Sequence, residues 1–299
     1  MSESPYLLHH VRVTEVQDLS PTFARITVSG PLLDRVKPTG RDQRIKIFLP
    51  LPDVGVTTVP TGEDWYAAWR GLPDEHRNPM RTYTVRAVRP SERELDLDVV
   101  RHGPSGPAGA WIERARPGDE LVVCAPNLSY EGDAGGIDFD PPRGVRRVLL
   151  AGDETAVPAI ASILETLPDD VGGHVVVEVP CVEDLEVIPT HAGVERRVVV
   201  RGAVRGAALV DAVREVAPGL VAVTRPVADL DDVDVDADLL WEVPRDDASS
   251  VRTAEAYAWL AGEAAVIKSL RRYLVSELGW DRTAVAFMGY WREGRAEAN

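Results

Sequence analysis

Val145-Arg146-Arg147-Val148-Leu149-Leu150-Ala151-Gly152-Asp153-Glu154-Thr155-Ala156-Val157-Pro158 is where the chain changes rhythm. Val145 to Leu150 predicts a buried strand, Ala151 to Asp153 a tight turn, and Val157, Ile160, Leu164 and Leu167 then recur at helical spacing. Pro158 has no N–H and belongs in a first helical turn. Glu154 or Thr155 is then the N-cap, Thr155 being the more typical choice. Beyond this segment, Val175–Val179 and Arg197–Val200 read as strands, Ala207–Val216 as a helix, and Tyr257–Leu260 as a strand. A long helix follows, with Ile267, Leu270, Leu274 and Leu278 on one face and Lys268, Arg271 and Arg272 off it, before Ala284–Met288 closes the series. Strands alternating with helices predict a parallel α/β sheet.

A strand, turn and helix start at this place can turn helix amides toward a phosphate, although Gly-x-Gly-x-x-Gly is absent. Asp153 and Glu154 oppose that reading, because they repel a phosphate unless turned away. The residues alone leave both readings open.

Toward the N-terminus the period shortens to two. Ala24, Ile26 and Val28 alternate within Thr22–Val28. Ile45, Ile47 and Leu49 face one way in their strand, and Arg44, Lys46 and Phe48 the other. Leu95, Leu97 and Val99 alternate with Asp96 and Asp98, and Ser29-Gly30 and Pro117-Gly118-Asp119 mark turns. Short punctuated strands predict an antiparallel barrel. Pro50 to Pro79 interrupts it as an insertion with a short helix around Trp65, Tyr66 and Trp69, and Asn127 to Arg143 is the candidate linker. The expected domains are therefore residues 1–143 and 144–299.

The chain has 299 residues, 44% of them hydrophobic, enough for a core in each of two domains. A net charge of −15 speaks against a nucleic-acid partner. No apolar run reaches the roughly 18 residues of a transmembrane helix. Met1 to Tyr6 lacks the basic and apolar regions of a signal peptide. Cys124 and Cys181 stand far apart without metal-ligand spacing, so neither a disulfide framework nor a metal site is expected. A cytoplasmic monomer is the expectation.

Two barrel segments carry chemistry. In Arg81-Thr82-Tyr83-Thr84-Val85-Arg86, alternation puts Arg81, Tyr83 and Val85 on one face. An arginine there can pair with a diphosphate through its planar fork, a tyrosine can lie against a flat ring, and a threonine hydroxyl can donate to a flavin nitrogen. An ordinary strand with a surface arginine and a packed tyrosine is the plainer alternative. The second segment, His102-Gly103-Pro104-Ser105-Gly106-Pro107-Ala108-Gly109-Ala110-Trp111, offers backbone amides to an anion at a helix start. Together they combine one side-chain cation with one set of amides.

At these residues the chain resembles the siderophore-interacting protein family, a branch of the ferredoxin–NADP reductase superfamily. Arg81, Tyr83 and Thr84, then His102, Gly103, Gly106, Pro107, Ala108 and Trp111, match its barrel motifs. Asp153-Glu154-Thr155 with Pro158, Trp259-Leu260-Ala261-Gly262-Glu263 and Gly289-Tyr290-Trp291-Arg292 match its second half. The resemblance runs from about Val11 to Arg295. It implies a ferredoxin reductase-like fold with FAD across the barrel rim, Arg81 at the diphosphate and Tyr83 and Thr84 at the isoalloxazine. It also implies a nicotinamide cofactor near Gly152, Asp153, Glu154, Thr155, Ala261, Gly262 and Glu263. Hydride from NADH or NADPH would then reduce ferric siderophores, with ferredoxin a possible alternative donor. No catalytic side chain is required, because the cofactor carries the redox chemistry. Lys46 leads the candidates for the anionic substrate, ahead of Arg271 and Arg272. A reductase with a protein or free-flavin acceptor, and a flavin or siderophore carrier without turnover, remain as alternatives. The acidic run Pro180-Cys181-Val182-Glu183-Asp184-Leu185-Glu186 after the second strand disfavours a 2′-phosphate and leans toward NADH, unless a cation such as Arg201 reaches it.

Overall fold

The computed structural model describes residues 3–220, 240–246 and 252–295, so the outermost residues of both expected domains lie outside it. The chain divides into two compact units between Ile137 and Asp138.

The first unit is built from β1 (Tyr6–Asp18), β2 (Phe23–Ser29), β3 (Arg44–Phe48), β4 (Met80–Thr84), β5 (Ala87–Arg89), β6 (Glu94–Val100) and β7 (Glu120–Pro126). They form one antiparallel sheet in the order β4-β3-β7-β1-β2-β6-β5. The outermost strands, β4 and β5, are separated in sequence only by Val85 and Arg86. The Val85 amide donates to Gln43 O at one edge, 2.8 Å, and the next amide, Arg86, to Asp96 O at the other, 2.9 Å. A sheet whose two edges are reached by consecutive amides must curl, and this one makes a half-barrel. Its inner face carries the predicted alternation: Ala24, Ile26, Val28, Ile45, Ile47, Leu95, Leu97 and Val99 share one buried cluster. Each valine, leucine and isoleucine among them contributes about 1.5–3 kcal/mol by leaving water.

The opposite face of β6 differs from the solvated alternation its sequence suggests. Asp96 and Asp98 are buried there, Asp98 taking two hydrogen bonds from Arg25 at 2.7 and 2.9 Å. Asp96 accepts from Arg89 and from the Thr27 hydroxyl. The insertion holds the short helix α1 (Trp65–Arg70), whose Trp65 and Trp69 lie edge-on against Phe48 at 5.7 and 5.9 Å. Buried Asn78 pins it by donating to Leu49 O and Gly55 O, both 2.8 Å. The glycine-rich segment opens α2 (Gly106–Ile112).

The second unit contains β8 (Arg147–Asp153), α3 (Val157–Thr166), β9 (Gly172–Val179), β10 (Val194–Val200), α4 (Ala207–Val216), β11 (Trp241–Glu242), β12 (Ala256–Glu263), α5 (Ala264–Arg271) and β13 (Val285–Trp291). Among the described residues its sheet order is β10-β9-β8-β12-β13-β11, parallel throughout except for β11. Every residue of β12 is buried, as a central strand covered on both faces requires. α4 and α5 share a core with the sheet, Leu209 and Val213 meeting Ile267, Leu270 and Leu274 around Leu149, Val176, Leu260 and Phe287.

Several expected local details are corrected. β8 runs on to Asp153, and Asp153 caps the following turn by accepting from the Thr155 amide; Glu154 and Thr155 lie inside it. β12 runs past Leu260 through Ala261-Gly262-Glu263. The small residues at 261 and 262 let β12 stay pressed between β8 and β13. The long C-terminal helix ends its α-helical part at Arg271 and continues through Arg272–Glu277 as a wider π turn.

Candidate functional site

In the first unit the candidate residues sit at β3, β4 and α2. Antiparallel register places Arg81 opposite Ile47 and Tyr83 opposite Ile45, on the face of the buried cluster, with Tyr83 packed against it. Thr84 is buried opposite Arg44. Lys46 lies on the other face, opposite Thr82, and its Nζ donates to the Thr82 hydroxyl at 2.6 Å. Arg81 is half-buried, one guanidinium nitrogen donating to Met80 O at 2.8 Å.

The loop before α2 has the conformation its glycines permit. Gly103 and Gly106 take φ of +83° and +69°, and a Cβ at either would face open space. Ser105 is the N-cap, Pro107 sits in the first turn, and no side chain caps the helix start. These backbone amides suit a diphosphate. His102 is exposed and Ala108 half-buried, while Trp111 is inside the core. Glu113, which the sequence reading omits, accepts from the Gly103 amide at 3.2 Å and braces the loop from the far end of α2.

In the second unit the topology itself locates a site. The chain steps from β8 to β9 to β10 on one side, then returns to place β12 on the other side of β8. Ligands of such sheets bind at the carboxyl ends of the strands flanking this reversal. Gly152 and Asp153 from β8, with Glu154 and Thr155 from the turn after it, meet Ala261, Gly262 and Glu263 from β12 there. A Cβ on Gly152 would stand 2.2 Å from Ala261 O, and one on Gly262 2.7 Å from the Asp153 carboxylate.

Both acids that speak against a phosphate are turned into the protein. Asp153 Oδ1 accepts from the Thr155 amide and hydroxyl at 2.9 and 2.5 Å. Its Oδ2 accepts from the Glu263 amide and the Trp291 indole, both 2.8 Å. Burial and the neighbouring Glu154 carboxylate push Asp153 up to about 6, against the pull of these donors. Glu154 is buried and pairs with Arg201, which also reaches Glu178 at 3.2 Å. Glu178 in turn accepts from the Gly206 amide at 2.9 Å, where α4 begins. Glu263 caps α5 by accepting from the Ala265 and Val266 amides at 2.8 and 3.0 Å. Arg201 thus neutralises protein carboxylates. Arg205 and Trp291 complete this edge, although no local pattern marks Arg205 in the sequence.

The remaining candidates lie elsewhere. Arg271 is only 4% exposed, its guanidinium holding both oxygens of Glu242 at 2.8 Å, which withdraws it from a substrate surface. Arg272 is exposed at the start of the π turn. Lys46 belongs to the first unit and these arginines to the second. In the acidic run after β9, buried Asp184 accepts from the Cys181 amide at 3.3 Å, so that acid braces its own loop.

Comparison with known proteins adds the following. Residues 12–130 match the siderophore-interacting FAD-binding domain family, and residues 145–294 the siderophore-interacting protein family. Ferric vibriobactin reductase ViuB of Vibrio cholerae is 35% identical over 182 residues, 60% of each chain. The siderophore-interacting protein SipS of Aeromonas hydrophila superposes with a TM-score of 0.67 at 28% identity, over 97% of this chain and 93% of that one. The ferredoxin reductase in carbazole 1,9a-dioxygenase shares the fold, with a TM-score of 0.57 at 15% identity over 97% of this chain and 71% of its own.

Proposed function

The chain belongs to the siderophore-interacting protein family, and from that premise we propose that it reduces ferric siderophores with electrons from NADH or NADPH, through FAD. One observation carries this reading. A FAD-binding family and a siderophore-interacting family match consecutive parts of one chain, and the first part contains a glycine-rich helix start that no side chain caps. The similarity to a ferric vibriobactin reductase supports the substrate class, and favours it over a protein or free-flavin acceptor.

Residues up to about 143 form the flavin half of this proposal, and those from 144 the nicotinamide half. Arg81 and the Ser105, Gly106 and Ala108 amides hold the FAD diphosphate, with Tyr83 and Thr84 beside the ring. FAD supplies the conversion of a two-electron hydride into single electrons, as ferric iron demands. The protein's own work is positional. Arg81 fixes a charge, the α2 amides fix an orientation, and Gly152 and Gly262 keep strand ends close where a donor nucleotide lies. Lys46 provides the cation toward an anionic ferric complex. Its Nζ is oriented by Thr82 and lies on the strand face opposite Tyr83. No described helix is long and apolar enough to cross a membrane, and the reaction is assigned to the cytoplasm, where Fe(II) is used.

The test is anaerobic stopped-flow absorbance. NADH or NADPH should bleach the flavin, and a ferric siderophore should restore its colour. A carrier would show no bleaching. Bleaching followed by indifference to ferric siderophores would favour a protein or free-flavin acceptor.

A further inference from the structure

Arg201 and Arg205 stand four positions apart, and the structure uses them differently. Arg201 is committed to Glu154 and Glu178. Arg205, on the loop between β10 and α4, lies with its guanidinium 5.0 Å over the centre of the Trp291 ring. Its nearest carboxylate oxygens are Glu154 Oε1 at 3.7 Å and Glu293 Oε1 at 3.8 Å, both beyond hydrogen-bond reach. Its Nε is buried and makes no hydrogen bond. The Trp291 ring holds this guanidinium in place, and the two carboxylates at 3.7 and 3.8 Å leave its donors unspent.

From this we infer that Arg205 is a phosphate ligand for the donor dinucleotide, and that the Glu293 carboxylate, 3.8 Å away, screens its charge until the nucleotide arrives. The inference rests on the donor reading above. The place is right: Glu154 and Trp291 are at the carboxyl ends of β8 and β13, on the edge where the strand order reverses. The chemistry is right: a planar fork presented over an aromatic ring matches a phosphate with two parallel donors. The charges allow the exchange. Arg201 already neutralises Glu154, and the other carboxylate, Glu293, is 73% exposed and can leave for water as the phosphate enters. Arg205 itself is 31% exposed, enough to be reached.

The donor offers two kinds of phosphate, its diphosphate and, in NADPH, a 2′-phosphate. The experiment separates them. Isothermal titration of the FAD-loaded protein with NAD⁺ and NADP⁺ gives dissociation constants for the native chain, Arg205→Ala and Glu293→Gln. Flavin content and circular dichroism report on folding, and Arg205→Gln replaces the alanine variant if that one does not fold. Removing the guanidinium should weaken binding about tenfold or more. Loss confined to NADP⁺ assigns the 2′-phosphate, and equal loss for both assigns the diphosphate. Glu293→Gln should tighten binding by about two- to fivefold, the scale of one exposed ion pair. If the Arg205 variant binds both nucleotides as tightly as the native chain, this inference falls and the donor reading stands. If the native chain binds neither nucleotide, the donor reading falls and takes this inference with it.

Discussion

Two single residues show how burial sets chemistry here. His9 lies on β1 with its ring on the buried face. Burial, helped by Arg35 and opposed by Asp34, lowers it from 6.5 to about 4. The folded state therefore binds its proton later than the unfolded chain. Stability is fully present above pH 6.5 and is lost as pH falls from there toward 4. By pH 5 the loss from this one group is about 2 kcal/mol. Urea unfolding at pH 7 and pH 5 should show that loss in the native chain and much less of it in His9→Leu; equal losses in both would remove His9 as the cause. Arg81 makes the second residue-scale prediction. Arg81→Ala should weaken FAD binding about ten- to a hundredfold, measured by flavin fluorescence on dilution. Unchanged affinity would take Arg81 out of the flavin site. Arg81 was legible in the sequence because strand alternation fixes its face. Arg205 was not, since its partners lie 51 and 88 positions away, at Glu154 and Glu293, and no local pattern encodes that meeting.

At the scale of elements, what could be read from sequence was what repeats along one strand or helix. The buried faces of β2, β3, β6, α4 and α5 follow from period two or period 3.6 in their own residues. β1 escaped because its register against β2 shifts between Val13 and Glu15, so its alternation breaks midway. That the Asp153 carboxylate is turned into the protein is not legible in the sequence, because its four donors come from Thr155, Glu263 and Trp291, on different elements. Gly152 makes the closeness of β8 and β12 testable. A methyl there would meet Ala261 O at 2.2 Å and the Ala156 Cβ at 2.6 Å, and backbone must move to admit it. Gly152→Ala should lower stability by about 1–3 kcal/mol and weaken nicotinamide binding. Gly202→Ala, where an added Cβ meets nothing within 4 Å, is the control and should leave the melting temperature unchanged. Equal melting temperatures for both variants would mean that β12 yields to the methyl at no cost.

For the whole molecule, the account rests on joining a flavin half to a nucleotide half in one chain. The antiparallel barrel was expected from the short period-two strands, and the parallel sheet from the change of rhythm at Val145. Where the barrel's edges come together was not, because that depends on Val85 and Arg86 serving opposite edges. The acidic surface implied by a net charge of −15 makes the few oriented cations the places where anions can be held. The central claim is that a hydride's electron pair leaves this chain as single electrons onto ferric iron. The most direct measurement is the anaerobic yield of Fe(II), trapped by a ferrous chelator, per nicotinamide oxidised with a ferric siderophore present. Electron balance predicts two Fe(II) for each NADH or NADPH consumed, with one proton released. Nicotinamide oxidation that yields no Fe(II) above the protein-free control would contradict the account.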